Sequence, residues 1–131
     1  MNTHGKHIKI VGHADPSRLG SPSNINEFLH SVVSSLGMRM LGNPQIHDVE
    51  VDIKKLKVEP FEDEGGVTGV AVLSTSHVSI HTWPVRNFFV LDVYSCRDFE
   101  STTVLEVIES HFGKLNVRLT DVSNSLLPPA R

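Results

Sequence analysis

A single cysteine stands among 131 residues, and its scarcity excludes something. One cysteine closes no disulfide within the chain, so packing must hold the fold, and an unpaired thiol suits a reducing compartment. Positive charge is not in excess either: 12 lysines and arginines face 15 aspartates and glutamates, for a net charge of −3. That balance argues against a nucleic-acid partner, whose footprint is a basic domain. No apolar run approaches the roughly 20 residues of a membrane-spanning helix. The first residues also lack the apolar core of a signal peptide. The expectation is a soluble, cytoplasmic protein with no nucleic-acid and no membrane partner, folded as one domain over 1–131.

What is present is a regular succession of patterns. Lys6–Gly12 reads as a strand with Ile8 and Ile10 on one face, and Asp15–Ser23, with its prolines and glycines, reads as a loop. The spacing of Ile25, Phe28, Leu29, Val32, Val33 and Leu36 predicts an amphipathic helix. Its N-cap falls on Asn24, with Glu27 completing a variant of the capping box, and Gly37 stands at the C′ position. Met38–Pro44 is a connection, and His47–Val58 alternates as a half-buried strand. An acidic loop, Glu59–Gly66, leads into the nearly continuous apolar run Val67–Ser74, expected to be a central strand. Beyond residue 97, Asp98 is placed to cap a second helix carrying Val104, Val107, Ile108 and Phe112 and ended by Gly113. Leu115–Val122 alternates as a last strand, and Ser123–Arg131 reads as a loose tail. The order β-α-β-β-β-β-α-β predicts an α+β two-layer sandwich: a mainly antiparallel sheet with two helices on one face. The other face, or an exposed edge, is then free for a homodimer.

Between the two halves lies a β-hairpin. Val78 and Ile80 suit one strand, Phe88–Tyr94 the next, and Pro84-Val85-Arg86-Asn87 the turn, with proline fixing φ and asparagine tolerating positive φ. If Trp83 pairs with Phe88, partner positions sum to 171, and Ser76 lies opposite Ser95 and Cys96 opposite Thr75. Opposed residues have Cβ atoms about 4.5–5.5 Å apart. The lone cysteine thus comes beside the Thr75-Ser76 peptide bond.

Two other chemistries fit the pattern poorly. Eight histidines invite a metal. However, His77 and His81 on one strand stand about 13 Å apart, too far to grip one ion at about 2 Å from each. No metal site is therefore predicted. A Ser-His-Asp hydrolase using Ser76 or Ser79 with Asp92 lacks the Gly-x-Ser-x-Gly elbow and the matching strand order.

The runs Ser76-His77-Val78-Ser79-Ile80-His81-Thr82-Trp83-Pro84 and Asp92-Val93-Tyr94-Ser95-Cys96, with a weaker echo at Gly5-Lys6-His7, carry a family resemblance. They resemble the pyruvoyl-dependent S-adenosylmethionine decarboxylase proenzymes of the short prokaryotic type. That family shows Glu-Ser-His-hydrophobic-Ser/Thr-Ile-His-Thr-Trp-Pro followed by Asp-hydrophobic-Phe-Thr-Cys. The resemblance is dense over residues 66–97. It implies self-cleavage between Thr75 and Ser76 into 1–75 and 76–131, with Ser76 becoming an N-terminal pyruvoyl group. That group forms a Schiff base with a substrate amine and acts as an electron sink. By the same resemblance, His81 and Thr68 assist processing, Cys96 protonates the product carbon, and Trp83 contributes to substrate binding. On a straight strand, Ser76 and His81 are about 16 Å apart on opposite faces. Either the strand bends, or the two meet across a dimer interface.

The chain departs from the pattern at three places. Thr75 replaces the usual Glu before the cleaved bond, and Val85 replaces a Glu suited to ribose hydroxyls. The aromatic expected to stack on adenine falls on Glu62, one place from Phe61. A buried hydroxyl left unpaired costs about 1–3 kcal/mol, so these changes bear on nucleoside selectivity. Glu59, Glu62, Asp63 and Glu64 offer instead a carboxylate cluster for a basic amino acid such as ornithine or arginine. The expected function is a pyruvoyl decarboxylase of S-adenosylmethionine in polyamine biosynthesis, with a basic amino acid as the alternative substrate. An uncleaved, non-catalytic relative is the alternative from outside enzymology.

Overall fold

The computed structural model describes residues 5–50, 64–113 and 116–130. Among the described residues six strands form one antiparallel sheet: β1 (Lys6–His13), β2 (Gln45–Val49), β3 (Gly66–Leu73), β4 (Ser76–Trp83), β5 (Phe88–Ser95) and β6 (Asn116–Asp121). Their spatial order is β2-β3-β4-β5-β1-β6. Three helices accompany them: α1 (Pro16–Leu19), α2 (Pro22–Leu36) and α3 (Ser101–Phe112). The expected α+β two-layer sandwich is therefore the observed fold, with a short extra helix.

The period-2 pattern of the strands decides the layers. Ile8 and Ile10 of β1, Ala71 and Leu73 of β3, Val78 and Ile80 of β4, and Leu91 and Val93 of β5 all point to one buried face. Against it lie Ile25, Phe28, Leu29, Val32 and Val33 of α2 and Val104, Ile108 and Phe112 of α3. The Phe28 and Phe112 rings meet with centroids 4.8 Å apart, joining the two helices over the sheet. Each such side chain removed from water contributes roughly 1.5–3 kcal/mol. Gly69 lets α2 approach β3: a Cβ there would stand 2.9 Å from a Leu29 methyl. The opposite sheet face carries no helix among the described residues, and its side chains are half-buried or exposed.

Several boundaries differ from the sequence reading, for local reasons. Helix α2 begins at Pro22, not after Asn24, because Ser21 is the N-cap: its side chain accepts the Asn24 N–H at 3.2 Å. Proline at N1 needs no N–H partner there. The Asn24 side chain donates instead to the Arg18 and His111 carbonyls. The Asp15–Ser23 loop contains α1, capped by the Asp15 carboxylate. Glu100, not Asp98, precedes α3, and it makes no side-chain cap; Asp98 accepts the Phe99 N–H. Strand β2 starts at Gln45 and ends at Val49, Glu50 is no longer strand, and residues 51–58 of the predicted His47–Val58 strand lie outside the described residues. Within the predicted connection, Met40 bridges to Leu73 and extends the sheet edge. The tail is not loose at its start: Val122 N–H donates to the His7 carbonyl, and the Ser123 hydroxyl accepts the His7 N–H. Gly37 ends α2 in the left-handed conformation, as its position predicts.

Candidate active site

The hairpin register holds as derived. His77 pairs with Tyr94 and Trp83 with Phe88, and the turn is a short 3-10 segment, Pro84–Arg86, closed by Asn87 at φ +52°. At the far end of β4 the chain reverses through Ser74 and Thr75, with Leu73 pairing with Ser76. Two residues suffice for this corner, and Thr75 occupies it at φ +59°. A β-branched residue in the left-handed region is a steric outlier, costing roughly 1–2 kcal/mol. The strain sits on the residue whose carbonyl precedes Ser76.

Ser76 is buried, and its Oγ accepts the Cys96 N–H at 2.9 Å. The Thr75 hydroxyl donates to the Ser74 carbonyl at 2.6 Å. Hydrogen bonding by the Thr75 and then the Ser76 hydroxyl holds the exposed Cys96 thiol below the usual thiol range. Thr75, Ser76 and Cys96 therefore form one cluster at the end of the hairpin. The arrangement offers a hydroxyl adjacent to a strained carbonyl, with a thiol alongside whose proton is readily given up.

Thr68 and His81 form a second cluster. They are register partners on β3 and β4, and Thr68 Oγ1 and His81 Nδ1 are 2.9 Å apart. Trp83 lies two residues on, its ring centroid 6.4 Å from that of His81. A cavity of about 130 Å³ opens here, with Val49, Thr68, His81 and Trp83 among its walls. Strand β4 runs without a bulge from His77 to Trp83. Within one chain, His81 and Ser76 thus stay about 16 Å apart on opposite faces. The bent-strand alternative is removed. Phe61 and Glu62 lie outside the described residues.

Two arrangements went unread in the sequence. The Glu64 side chain is fully buried and receives Arg86 in a bidentate pair, Nε to Oε1 at 2.5 Å and Nη2 to Oε2 at 2.6 Å. Those hydrogen bonds hold the Glu64 carboxyl below the usual range. This carboxylate of the acidic loop is thereby occupied by the chain's own guanidinium. On the uncovered face, Asp92 accepts from both His7 and His77. The matching residues lay in the two motifs and in Gly5-Lys6-His7, but only the strand order β4-β5-β1 brings them together.

Comparison with known proteins adds to this geometry. A family model described as S-adenosylmethionine decarboxylase matches residues 9–125. The S-adenosylmethionine decarboxylase proenzyme of Methanococcus aeolicus is 31% identical over 125 residues, covering 85% of this chain and 95% of the relative. That of Thermomicrobium roseum is 33% identical over 76 residues, 57% of this chain and 66% of the relative. Among solved structures, the adenosylmethionine decarboxylase from Aquifex aeolicus vf5 superimposes with a TM-score of 0.66 at 22% identity. It covers 92% of this chain and 91% of its own, so the fold is shared.

Proposed function

The chain belongs to the S-adenosylmethionine decarboxylase family, and from that premise we propose that it is a self-processing, pyruvoyl-dependent carboxy-lyase acting on S-adenosylmethionine. The observation that carries the self-processing is the corner itself: Thr75 strained at φ +59° and the Ser76 Oγ fixed by the Cys96 N–H. Serine is a weak nucleophile and needs such an oriented, strained partner. In the proposed step the Ser76 Oγ adds to the Thr75 carbonyl carbon. The Thr75–Ser76 C–N bond breaks as the C–O ester bond forms, and the released nitrogen takes the hydroxyl proton. A base then removes the Ser76 α-proton and the Cβ–Oγ bond breaks. Fragment 1–75 leaves as a carboxylate, and a dehydroalanine begins fragment 76–131. Water adds to its imine tautomer, ammonia departs, and a ketone remains.

The residues present fit a group made from Ser76. A ketone at that position supplies an electron sink for loss of a substrate carboxylate as CO₂. Cys96, beside it, holds the proton that replaces the carboxylate. Thr68 and His81 are the hydroxyl and imidazole for processing, and Trp83 borders the cavity at the same place.

Because β4 stays straight, the reading includes a homodimer in which the Thr68–His81 pair of one chain serves Ser76 of a second copy. For association itself, the uncovered sheet face offers apolar surface to a second copy, carrying Val70, Val72, Trp83, Phe88 and Val90 beside polar groups. Intact-mass measurement tests the whole reading. The purified protein should appear as fragments 1–75 and 76–131, the second bearing a pyruvoyl mass, and should release CO₂ from carboxyl-labelled S-adenosylmethionine. Ser76→Ala should remain one full-length chain with no CO₂ release. A native protein that stays whole overturns the proposal.

A further inference from the structure

Three adjacent strands place nitrogen and oxygen ligands around one point on the uncovered sheet face. His7 of β1 and His77 of β4 are both register partners of Tyr94 on β5, from opposite sides, and Asp92 lies two residues along β5 on the same face. His7 Nε2 stands 2.9 Å from Asp92 Oδ1, and His77 Nε2 stands 2.8 Å from Asp92 Oδ2. One ligand atom from each of the three residues lies within 4.8 Å of the others. In the single chain the side chains are 29%, 43% and 34% exposed for His7, His77 and Asp92, so an ion can reach them before a second copy covers this face.

We propose that His7, His77 and Asp92 bind one divalent transition-metal ion of the zinc type. An ion of this class sits about 2.0–2.2 Å from imidazole nitrogen and carboxylate oxygen, which separates tetrahedral ligands by about 3.3 Å. The two His–Asp separations, 2.9 and 2.8 Å, fall slightly short of that value and all three ligand atoms lie within 4.8 Å, so small side-chain rotations admit the ion. Two nitrogens among three donors favour zinc, cobalt, nickel or copper over magnesium or calcium, which take oxygen ligands. The backbones carrying the ligands are locked in continuous ladders, β4 to β5 and β5 to β1, so little ordering remains to oppose binding. Lys9 faces Asp92 across the β1–β5 pair but makes no ion pair with it; among the described residues the carboxylate's ion-pair partners are the two imidazoles. Three protein ligands leave a fourth position on the outer side of the sheet for water or for a group of a second copy. His77 and His81 are indeed too far apart to share one ion, but a carboxylate does stand near His77: Asp92 supplies it from β5 and His7 supplies the second imidazole from β1.

Chelator-treated protein titrated with CoCl₂ tests this. The expected result is visible d–d absorption saturating at one Co²⁺ per chain, displaced by ZnSO₄, together with a zinc-dependent rise in Tm. His77→Gln, Asp92→Asn and His7→Gln should each weaken uptake by about a hundredfold or more, while far-UV circular dichroism without metal stays that of the native protein. Absence of uptake by the native chain overturns the site, as does uptake that survives all three substitutions. Three independent variants keep the test decisive if one fails to fold. The readout does not involve self-cleavage, so it can be repeated on the Ser76→Ala chain and is separable from the decarboxylase reading.

Discussion

At the scale of the residue, the thiol of Cys96 carries the sharpest consequence. Its acidity is raised by hydroxyls on either side of the proposed cleavage point, Thr75 first and Ser76 second. A thiol so held ionises at lower pH, and the thiolate is the reactive form. In a chain kept whole by His81→Ala, alkylation of Cys96 by iodoacetamide should rise with pH to a midpoint below that of a free cysteine. Adding Thr75→Val should move the midpoint upward, because the first of the two hydroxyls is gone while Ser76 stays. An unmoved midpoint would show that the Thr75 hydroxyl does not set the thiol's acidity. In the proposed processing Ser76 loses its hydroxyl, so Cys96 would meet a substrate in a different environment from the one it has in the uncleaved chain.

At the scale of the element, Thr82 shows how one buried hydroxyl ties three pieces of backbone. It accepts the Val67 N–H at 3.0 Å and donates to the Leu19 carbonyl at 2.9 Å, joining β4 to β3 and α1. Thr82→Val keeps the shape but leaves a buried donor and a buried acceptor unpaired. Such groups cost about 1–3 kcal/mol each, so urea denaturation should show a loss within a few kcal/mol and an unchanged slope. No loss would mean that water reaches both groups. In the sequence this residue stands within the Ser76–Pro84 run, and nothing in strand periodicity identifies it as a clamp. Likewise Asn24 looked like a cap because of its type, yet Ser21 holds that role and Asn24 instead stitches α1 to α3. Residue type names the candidates for a cap; the path of the chain chooses among them.

At the scale of the whole molecule, the two clusters of the candidate site are separated by a straight strand, and this predicts complementation between chains. Ser76→Ala and His81→Ala should each stay uncleaved alone. Co-expressed, they should form mixed dimers in which the chain bearing His81→Ala is cut, its Ser76 served by the imidazole of the other copy. Fragments 1–75 and 76–131 should appear only in the mixture, at no more than half of the total chain. Cleavage in neither setting would count against the cross-subunit arrangement, while cleavage of His81→Ala alone would remove the histidine from processing.

The amino-acid order by itself determined the strands and their two faces, the apolar stripes of α2 and α3, and the hairpin register that sets Cys96 beside Thr75 and Ser76. These are consequences of periodicity and of a tight turn, both local along the chain. Only the tertiary structure decided that Arg86 neutralises Glu64, that Thr75 bends left-handed, and that His7 joins His77 around Asp92. Those meetings depend on strand order and on chain reversals between distant segments, which no local pattern encodes: β1, first in sequence, lies in the sheet between β5 and β6, the last two strands of the chain.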